Sequence, residues 1–186
     1  MGCGKSTVGR RLAAMLGWEF VDTDTRIEEE QKMQVSEIFL RKGERAFRKM
    51  ERDLIHRLSE RTHQVIATGG GIIKDPANCQ RLKEGGAVVV HMYTAPEELY
   101  RRMRCDTTRP LLAPYEGEAR YEAIQKLLQE RLPLYRSAAD IEVSVFKQSP
   151  EDIAEEILDM TNELEKSSQR EIWVCNGPNL NFLGIR

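Results

Sequence analysis

The chain begins Met1-Gly2-Cys3-Gly4-Lys5-Ser6-Thr7, and this stretch decides how the fold is interpreted. It matches the second half of the phosphate-binding loop G-x-x-x-x-G-K-[ST], which in full form follows a β-strand. The glycines leave room for backbone N–H groups to turn toward an anion. The lysine of such a loop reaches the β- and γ-phosphates, and its serine hydroxyl can bind Mg²⁺. The stretch predicts a nucleotide-phosphate site, although a chance Gly-Lys-Ser at a helix start would give the same letters.

A helix is predicted directly after this loop, over residues 6–16. Its apolar residues recur at helical spacing, at Val8, Leu12, Met15 and Leu16. The positive N-terminal end of this helix would point at the phosphates. The first glycine of the loop and the strand before it are missing from the sequence, so we expect a sheet without its first strand.

Length, charge and cysteine content favour one ordinary domain. The 186 residues suffice for a single core, and a formal charge of −2 gives no reason to expect a nucleic-acid or membrane partner. The four cysteines form no CxxC pair, which argues against a zinc site or a disulfide framework. No apolar run approaches the roughly 18 residues of a membrane span, and the N-terminus lacks the apolar core of a signal peptide. We expect a reduced, cytoplasmic protein.

Short apolar runs alternate with longer amphipathic ones along the chain. The predicted strands cover 19–21, 64–67, 87–91, 141–145 and 172–175. The predicted helices cover 25–31, 35–42, 44–60, 75–83, 95–104, 118–132 and 150–165. This alternation predicts an α/β fold of three layers, with a mostly parallel sheet between helices. Sites in such sheets lie at the carboxyl ends of the strands.

Asp22-Thr23-Asp24 follows a predicted strand directly, so it is expected at that edge. On extended chain the two carboxylates would point the same way. One could serve Mg²⁺ through water, while the other accepts a hydrogen bond from a substrate hydroxyl. The alternative is that Asp24 caps the helix beginning near Thr25, and it could do both.

Arg48 and Glu51 lie three residues apart in a strongly charged helix and share one face. This segment alone favours an exposed helix with surface ion pairs. The functional alternative is an arginine held by Glu51 and aimed at a substrate carboxylate, which its planar fork would suit.

Three glycines, Gly69-Gly70-Gly71, follow another predicted strand. Their entropic cost is large for a mere turn, so close approach of a ligand to the backbone explains them better than a flexible connection.

Further arginines lie in a basic stretch from Arg101 to Arg109 and at Arg131. The loop around Arg109 is long enough for a lid that closes over phosphates, or it is an exposed loop that its arginines solubilise. Arg131 is expected near a helix end, where a cation would also complement the helix dipole.

Taken in order, these motifs resemble the shikimate kinase family of P-loop kinases. The resemblance covers residue 1 to about 164 and rests on an ordered set of short motifs. These are Gly-Lys-Ser-Thr, Asp-Thr-Asp, Phe-Arg-Lys-Met-Glu, Gly-Gly-Gly, Arg-Pro-Leu-Leu and Arg-Leu-Pro-Leu-Tyr. It implies transfer of the γ-phosphoryl group of ATP to the 3-hydroxyl of shikimate, with Mg²⁺, in a monomer.

The resemblance also implies a role for particular residues. The residues that would bind ATP are Gly2, Cys3, Gly4, Lys5, Ser6, Thr7, Arg102, Arg109 and Gln148. The residues that would bind shikimate are Asp24, Arg48, Gly69, Gly70, Gly71 and Arg131. Ser6 and, through water, Asp22 would hold Mg²⁺, and Asp24, Lys5 and Arg109 would be catalytic. The alternatives are another small-molecule kinase, such as a gluconate kinase, or a silent nucleotide-binding remnant.

The C-terminal segment carries a second resemblance. Residues 166–170 are expected to link a kinase-like unit, 1–165, to a stub over 171–186. The stub resembles the start of a type II 3-dehydroquinate dehydratase, in which Asn179 and Arg186 would be active-site positions. The catalytic tyrosine expected after them is not in the chain, so we expect no dehydratase activity. A further hypothesis is that strand 172–175 occupies the vacant position in the sheet.

Overall fold

Strands and helices alternate along the computed structural model, which describes residues 4–103, 115–165 and 172–176. The strands are β1 Glu19–Asp22, β2 Gln64–Ala67, β3 Ala87–Tyr93, β4 Ile141–Ser144 and β5 Ile172–Asn176. The helices are α1 Lys5–Leu16, α2 Thr23–Gln31, α3 Val35–Ser59, α4 Pro76–Glu84, α5 Pro96–Met103, α6 Gly117–Ala138 and α7 Pro150–Glu165. A 3₁₀ turn, Ile72–Lys74, follows the three glycines. The predicted order of elements is confirmed.

The five strands form one parallel sheet in the order β1-β2-β5-β3-β4. Strand β5 lies between β2 and β3 and pairs with both, as the hypothesis about the C-terminal strand stated. Because the strands are parallel, the segments that follow β1, β2 and β4 meet at one edge of the sheet.

Alternate residues of the central strands point into two different cores. Val65 packs with residues of α1 and α7, whereas its neighbour Ile66 packs with residues of α2, α3 and α4. Val88 and Val89 of β3 divide in the same way. This period of two is the ordinary pleat of a strand buried on both faces. The result is a sheet between two helical layers, which confirms the predicted α/β class.

Helix α3 is kinked at Gly43, where φ is 79° and ψ is 166°. The sequence predicted separate helices over 35–42 and 44–60, and the kink falls at the residue between them. Beyond the kink, Phe47 and Leu54 are buried in the core. The helix face that carries Arg48 and Glu51 is thereby held against the sheet edge.

Helix α6 runs further than the sequence predicted. The expected end at Leu132 is wrong, because the helix continues through Pro133 to Ala138. Proline removes one helical N–H and its ring crowds the preceding turn. Tyr135 is buried beyond it and donates a hydrogen bond to the Gly70 carbonyl oxygen at 3.0 Å. We attribute the continuation to this packing, since tertiary contacts override local propensity.

Within the described ranges, no helix combines the length and the apolar character needed to cross a bilayer.

Candidate active site

The N-terminus of α1 brings the phosphate-loop residues to the end of β1. Gly4 has a φ of 80°, a left-handed conformation that glycine adopts without strain. Lys5 follows and is 5% exposed. The Ser6 hydroxyl donates to Oδ2 of Asp22 at 2.7 Å. A lysine, a serine hydroxyl and a carboxylate therefore meet at a helix N-terminus, where anions are favoured.

Asp22, and not Asp24, caps helix α2. Its Oδ1 accepts from the backbone N–H of Asp24 at 3.1 Å and of Thr25 at 3.4 Å. The prediction that Asp24 lies on extended chain is wrong, because the helix begins at Thr23 and Asp24 lies in its first turn. Asp22 is the better cap because it still has strand geometry, with φ −99° and ψ 118°, as a capping residue requires. Asp24 is half-buried beside the cap.

The three glycines are joined to three other elements. The Gly69 N–H donates to the Thr23 hydroxyl of α2 at 3.2 Å. The Gly70 carbonyl accepts from Arg131 Nη1 and from the Tyr135 hydroxyl of α6, each at 3.0 Å. A Cβ atom on Gly71 would lie 2.4 Å from Arg48 Nη1 of α3. A side chain at position 71 would therefore have to displace the guanidinium.

Arg48 is held by two carboxylates. Its Nη1 donates to Glu51 Oε2 at 2.7 Å, and its Nε and Nη2 each lie 3.3 Å from Glu44 Oε1. The side chain of Glu51 is 1% exposed and that of Arg48 is 16% exposed. The predicted pairing of Arg48 with Glu51 is confirmed, and the alternative of an exposed, solvated helix face is wrong here.

Arg131 is buried, and it does not lie at a helix end. It precedes the end of α6 by two turns and donates to the Gly70 carbonyl. The alternative that it complements the helix dipole is therefore wrong, and the error follows from the early end predicted for the helix. Tyr135, for which the sequence motifs predict no role, lies one turn later on the same face. The i, i+4 spacing could have placed it with Arg131.

His91, for which the sequence motifs predict no role, supports Tyr135 from the sheet. The two rings stack, with centroids 5.1 Å apart and an angle of 11° between their planes. His91 Nδ1 lies 2.8 Å from Glu142 Oε1. Burial lowers the pKa of His91, although the hydrogen bond and the charge of Glu142 act in the opposite direction. The neutral ring is therefore the form that the core prefers.

The remaining residues predicted to contact ATP lie elsewhere along the carboxyl edge of the sheet. Arg102 Nε donates to Glu98 at 2.6 Å, and its Nη2 lies 3.5 Å from the Val145 carbonyl oxygen just after β4. Hydrogen bonds from Arg101 and Arg102 lower the pKa of Glu98 to about 2.

The other residues predicted to contact ATP are placed as follows. Gln148 is half-buried in the connection between β4 and α7. Thr7 is exposed in the first turn of α1. Gly2, Cys3 and Arg109 lie outside the described residues.

The oxygens of Ser6 and Asp22 suit Mg²⁺, which keeps several waters and takes few protein ligands. Among the described side chains, no three His, Cys, Asp or Glu residues cluster as a site built from protein ligands alone would require.

The fold is a parallel sheet between two helical layers. A buried lysine and a serine lie at a helix N-terminus, and the serine faces a carboxylate. This combination is that of a P-loop phosphotransferase. The family model for shikimate kinase matches residues 1–162. The shikimate kinase of Halorhodospira halophila is 44% identical over 159 residues, which is 86% of this chain and 88% of that protein. The chain belongs to the shikimate kinase family.

Solved structures agree with this assignment. The shikimate kinase of Acinetobacter baumannii in complex with shikimate has a TM-score of 0.79 and 37% identity, and the match covers 91% of each chain. A gluconokinase from Sinorhizobium meliloti has a TM-score of 0.50 and 16% identity, with 91% of this chain and 93% of that chain covered. The second likeness is one of fold alone.

The pKa of His91 predicts a pH dependence of stability. Because its pKa is lower in the folded chain than the unfolded value of about 6.5, the unfolded chain binds more protons below that pH. The stabilisation is complete above about pH 6.5 and is lost as the pH falls through that value toward the folded pKa. Urea unfolding between pH 7.5 and 5.5 should show this slope, at most about 1.4 kcal/mol per pH unit.

His91→Gln removes the titrating group and should flatten the curve in that range. Equal slopes in the parent chain and in the variant would show that His91 does not cause the pH dependence.

Proposed function

We propose that this chain transfers the γ-phosphoryl group of ATP to the 3-hydroxyl of shikimate, giving shikimate 3-phosphate and ADP. The observation that carries the proposal is the convergence of Arg48 and Arg131 on the backbone of Gly70 and Gly71. Two guanidinium groups beside a glycine segment suit a small carboxylate substrate that lies close to the backbone.

The phosphate half of the site is assigned to α1. Lys5 would contact the β- and γ-phosphates, with backbone N–H groups at the N-terminus of the helix. Ser6 and Asp22 would hold Mg²⁺, Asp22 through a water molecule. Bound Mg²⁺ would neutralise charge that develops on the transferred group. Arg102 and Gln148 are assigned to the nucleotide, and Arg109 to the lid.

The acceptor half is assigned to the start of α2 and to the glycine segment. Asp24 lies one helical turn or less from the Asp22 cap and would accept the proton of the attacking hydroxyl. Arg48 and Arg131 would bind the shikimate carboxylate and so fix the position of the hydroxyl. Gly69, Gly70 and Gly71 let the hydroxylated ring of shikimate approach the backbone. Such positioning accounts for most of the catalysis in phosphoryl transfer.

Two other functions lead to different results in one assay. A gluconate kinase would act on an open-chain acid, whereas the arginine pair and glycine segment favour a cyclic carboxylate. A silent remnant would fold, yet it would turn over neither substrate. The predicted cytoplasmic, monomeric state stays a prediction.

Shikimate-dependent ADP release with Mg²⁺ tests the proposal on the full chain. We expect turnover with shikimate, little with gluconate, and a loss of about 100-fold or more in kcat for Asp24→Asn, since a positioned base contributes about 10²–10⁴. Asp53→Asn makes the same change at an exposed position of α3 and should keep parental activity. Absence of turnover by a chain whose circular dichroism shows it folded would favour the remnant.

Gly71→Ala tests the assignment of Arg48. The added methyl would overlap the guanidinium, so the arginine must move away from its place. Losing one charge-assisted hydrogen bond, worth about 1.5–3 kcal/mol, should raise KM for shikimate by roughly 10- to 100-fold. KM for ATP should change little.

Gly17→Ala is the matched control for this variant. It strains a left-handed glycine (φ 68°) where no atom lies within 4 Å of the added methyl. This variant should lose stability without a selective change in KM for shikimate. If Gly71→Ala raised both KM values equally, Arg48 would not be a specific shikimate ligand.

We also propose that residues 171–186 add no dehydratase activity, as expected for a stub without its catalytic tyrosine. Asn179 and Arg186 lie outside the described residues, and the division of the chain at 166–170 stays a prediction. The full chain should leave 3-dehydroquinate unconverted in an absorbance assay that a working type II dehydratase completes. Conversion above the blank would contradict this.

A further inference from the structure

The peptide unit between Gly70 and Gly71 lies against both arginines of the proposed shikimate site. The Gly70 carbonyl oxygen accepts a hydrogen bond from Arg131 Nη1 at 3.0 Å. On the other side, a Cβ atom on Gly71 would lie 2.4 Å from Arg48 Nη1, so this guanidinium packs against the glycine. The orientation of one peptide unit therefore affects the positions of both guanidinium groups.

The backbone of the glycine segment does not fix this orientation by itself. Glycine has more backbone freedom than any other residue. The carbonyl oxygens of Gly69 and Gly71 accept from the backbone N–H groups of Ile72 and Lys74, each at 3.1 Å. The Gly70 carbonyl oxygen between them accepts from side chains of α6 instead. Those side chains therefore set the direction in which this carbonyl points.

Tyr135 is the more rigid of the two donors to Gly70. Its side chain is 2% exposed, and its hydroxyl donates to the Gly70 oxygen at 3.0 Å. Its ring stacks on His91, which in turn lies 2.8 Å from Glu142. Tyrosine has only two χ angles, whereas the longer side chain of Arg131 has more rotamer freedom to lose. The Tyr135 hydroxyl is therefore the fixed donor, and Arg131 can adjust to the carbonyl.

We propose that Tyr135 is a positioning residue: its hydroxyl orients the peptide between Gly70 and Gly71, and this peptide in turn positions Arg131 and Arg48. Arg131 uses one N–H on the Gly70 carbonyl. Because the guanidinium is planar and its donors have a fixed geometry, that bond also determines where the other N–H groups point. The effect on shikimate rests on the proposed function, whereas the effect on the peptide requires no substrate.

Tyr135→Phe tests the proposal, because it keeps the buried ring and removes only the hydroxyl. KM for shikimate should rise about 2- to 10-fold, as expected for the loss of one neutral hydrogen bond. KM for ATP and kcat should stay near their parental values, since a lost interaction that holds substrate and transition state equally raises KM alone. An unchanged KM for shikimate would overturn the proposal.

Tyr121→Phe is the matched control on the same helix. It removes a hydroxyl that is bonded to Glu97, away from the glycine segment. This variant should leave KM for shikimate unchanged. An equal rise in both variants would show that the loss of any hydroxyl of α6 has this effect, and the proposal would be wrong.

A double variant distinguishes positioning from a general effect on the fold. If Tyr135 acts through Arg131, Tyr135→Phe should raise KM by a smaller factor in a chain that already carries Arg131→Lys, because members of one hydrogen-bond network are not additive. The same factor in both backgrounds would show that the hydroxyl does not position Arg131.

NMR observes the peptide directly and without substrate. In the full chain labelled with ¹⁵N-glycine and 1-¹³C-glycine, an HNCO spectrum records only the glycines that follow a glycine, which are Gly70, Gly71 and Gly86. The Gly71 peak reports the Gly70 carbonyl, and it is assigned by its absence in Gly71→Ala. In Tyr135→Phe this peak should move upfield, since loss of a hydrogen bond shields the carbonyl carbon. It should also broaden or split, whereas the Gly86 peak should not change.

Arg131→Lys gives the opposite expectation in the same spectrum. With the Tyr135 hydroxyl in place, the Gly71 peak should remain single and keep its parental line width. Broadening in Arg131→Lys would assign the orientation of the peptide to Arg131 and overturn the proposal, and this spectrum decides the question even if Tyr135→Phe does not fold.

The two kinds of measurement separate this inference from the proposed function. A folded parent chain that does not phosphorylate shikimate would contradict the proposed function. The Gly71 peak would then still decide whether Tyr135 orients the peptide.

Discussion

Backbone hydrogen bonding between buried parallel strands is the constraint on which this structure depends. β2 and β3 are covered by helices on both faces, so water cannot serve their N–H and C=O groups. β5 forms hydrogen-bond ladders with β2 on one side and with β3 on the other. With the ladders complete, the carboxyl ends of the strands share one edge, and the segments that carry Asp22, Gly69–Gly71 and Arg102 come together there.

At that edge, a few backbone groups fix the charged side chains. Gly70 accepts two hydrogen bonds from α6, and Gly69 donates one to α2. The buried Arg48–Glu51 pair has a desolvation cost that its attraction need not recover, so stability alone is a weak reason for it. Its clearer effect is to hold a guanidinium against Gly71 in the chain without ligand. If Arg48 binds the shikimate carboxylate as proposed, this reduces the ordering that binding requires.

The sequence predicted the layers and most elements because apolar period and strand–helix alternation are local signals. It misplaced details that depend on tertiary contacts. The predicted end of α6 is too early, because Pro133 is a local stop signal, whereas the hydrogen bond of Tyr135 to Gly70 cannot be seen in the sequence. The expectation that Arg48 lies on an exposed helix face is wrong for the same reason. Its charged neighbours in the sequence are typical of a solvated helix, and they do not show that Glu51 is buried in the core. The roles proposed for Lys5, Asp24 and Arg131 came from the family resemblance, and the structure adds their positions.

Asp22 and Asp24 differ in how much they contribute to the fold. This difference decides which of the two substitutions tests the chemistry alone. Asp22 caps α2 with one oxygen and accepts from Ser6 with the other, so its replacement would loosen a helix and the phosphate loop together. Any loss of activity would then combine an effect on folding with an effect on the proposed metal binding. Asp22 supplies the cap, so an amide at Asp24 leaves the cap intact and changes mainly the basicity of the side chain proposed to accept the proton of the hydroxyl. Strand β1 runs one residue further than predicted, to Asp22. Asp22 therefore keeps the strand geometry of a capping residue, whereas Asp24 lies inside the helix, and this separates the two roles.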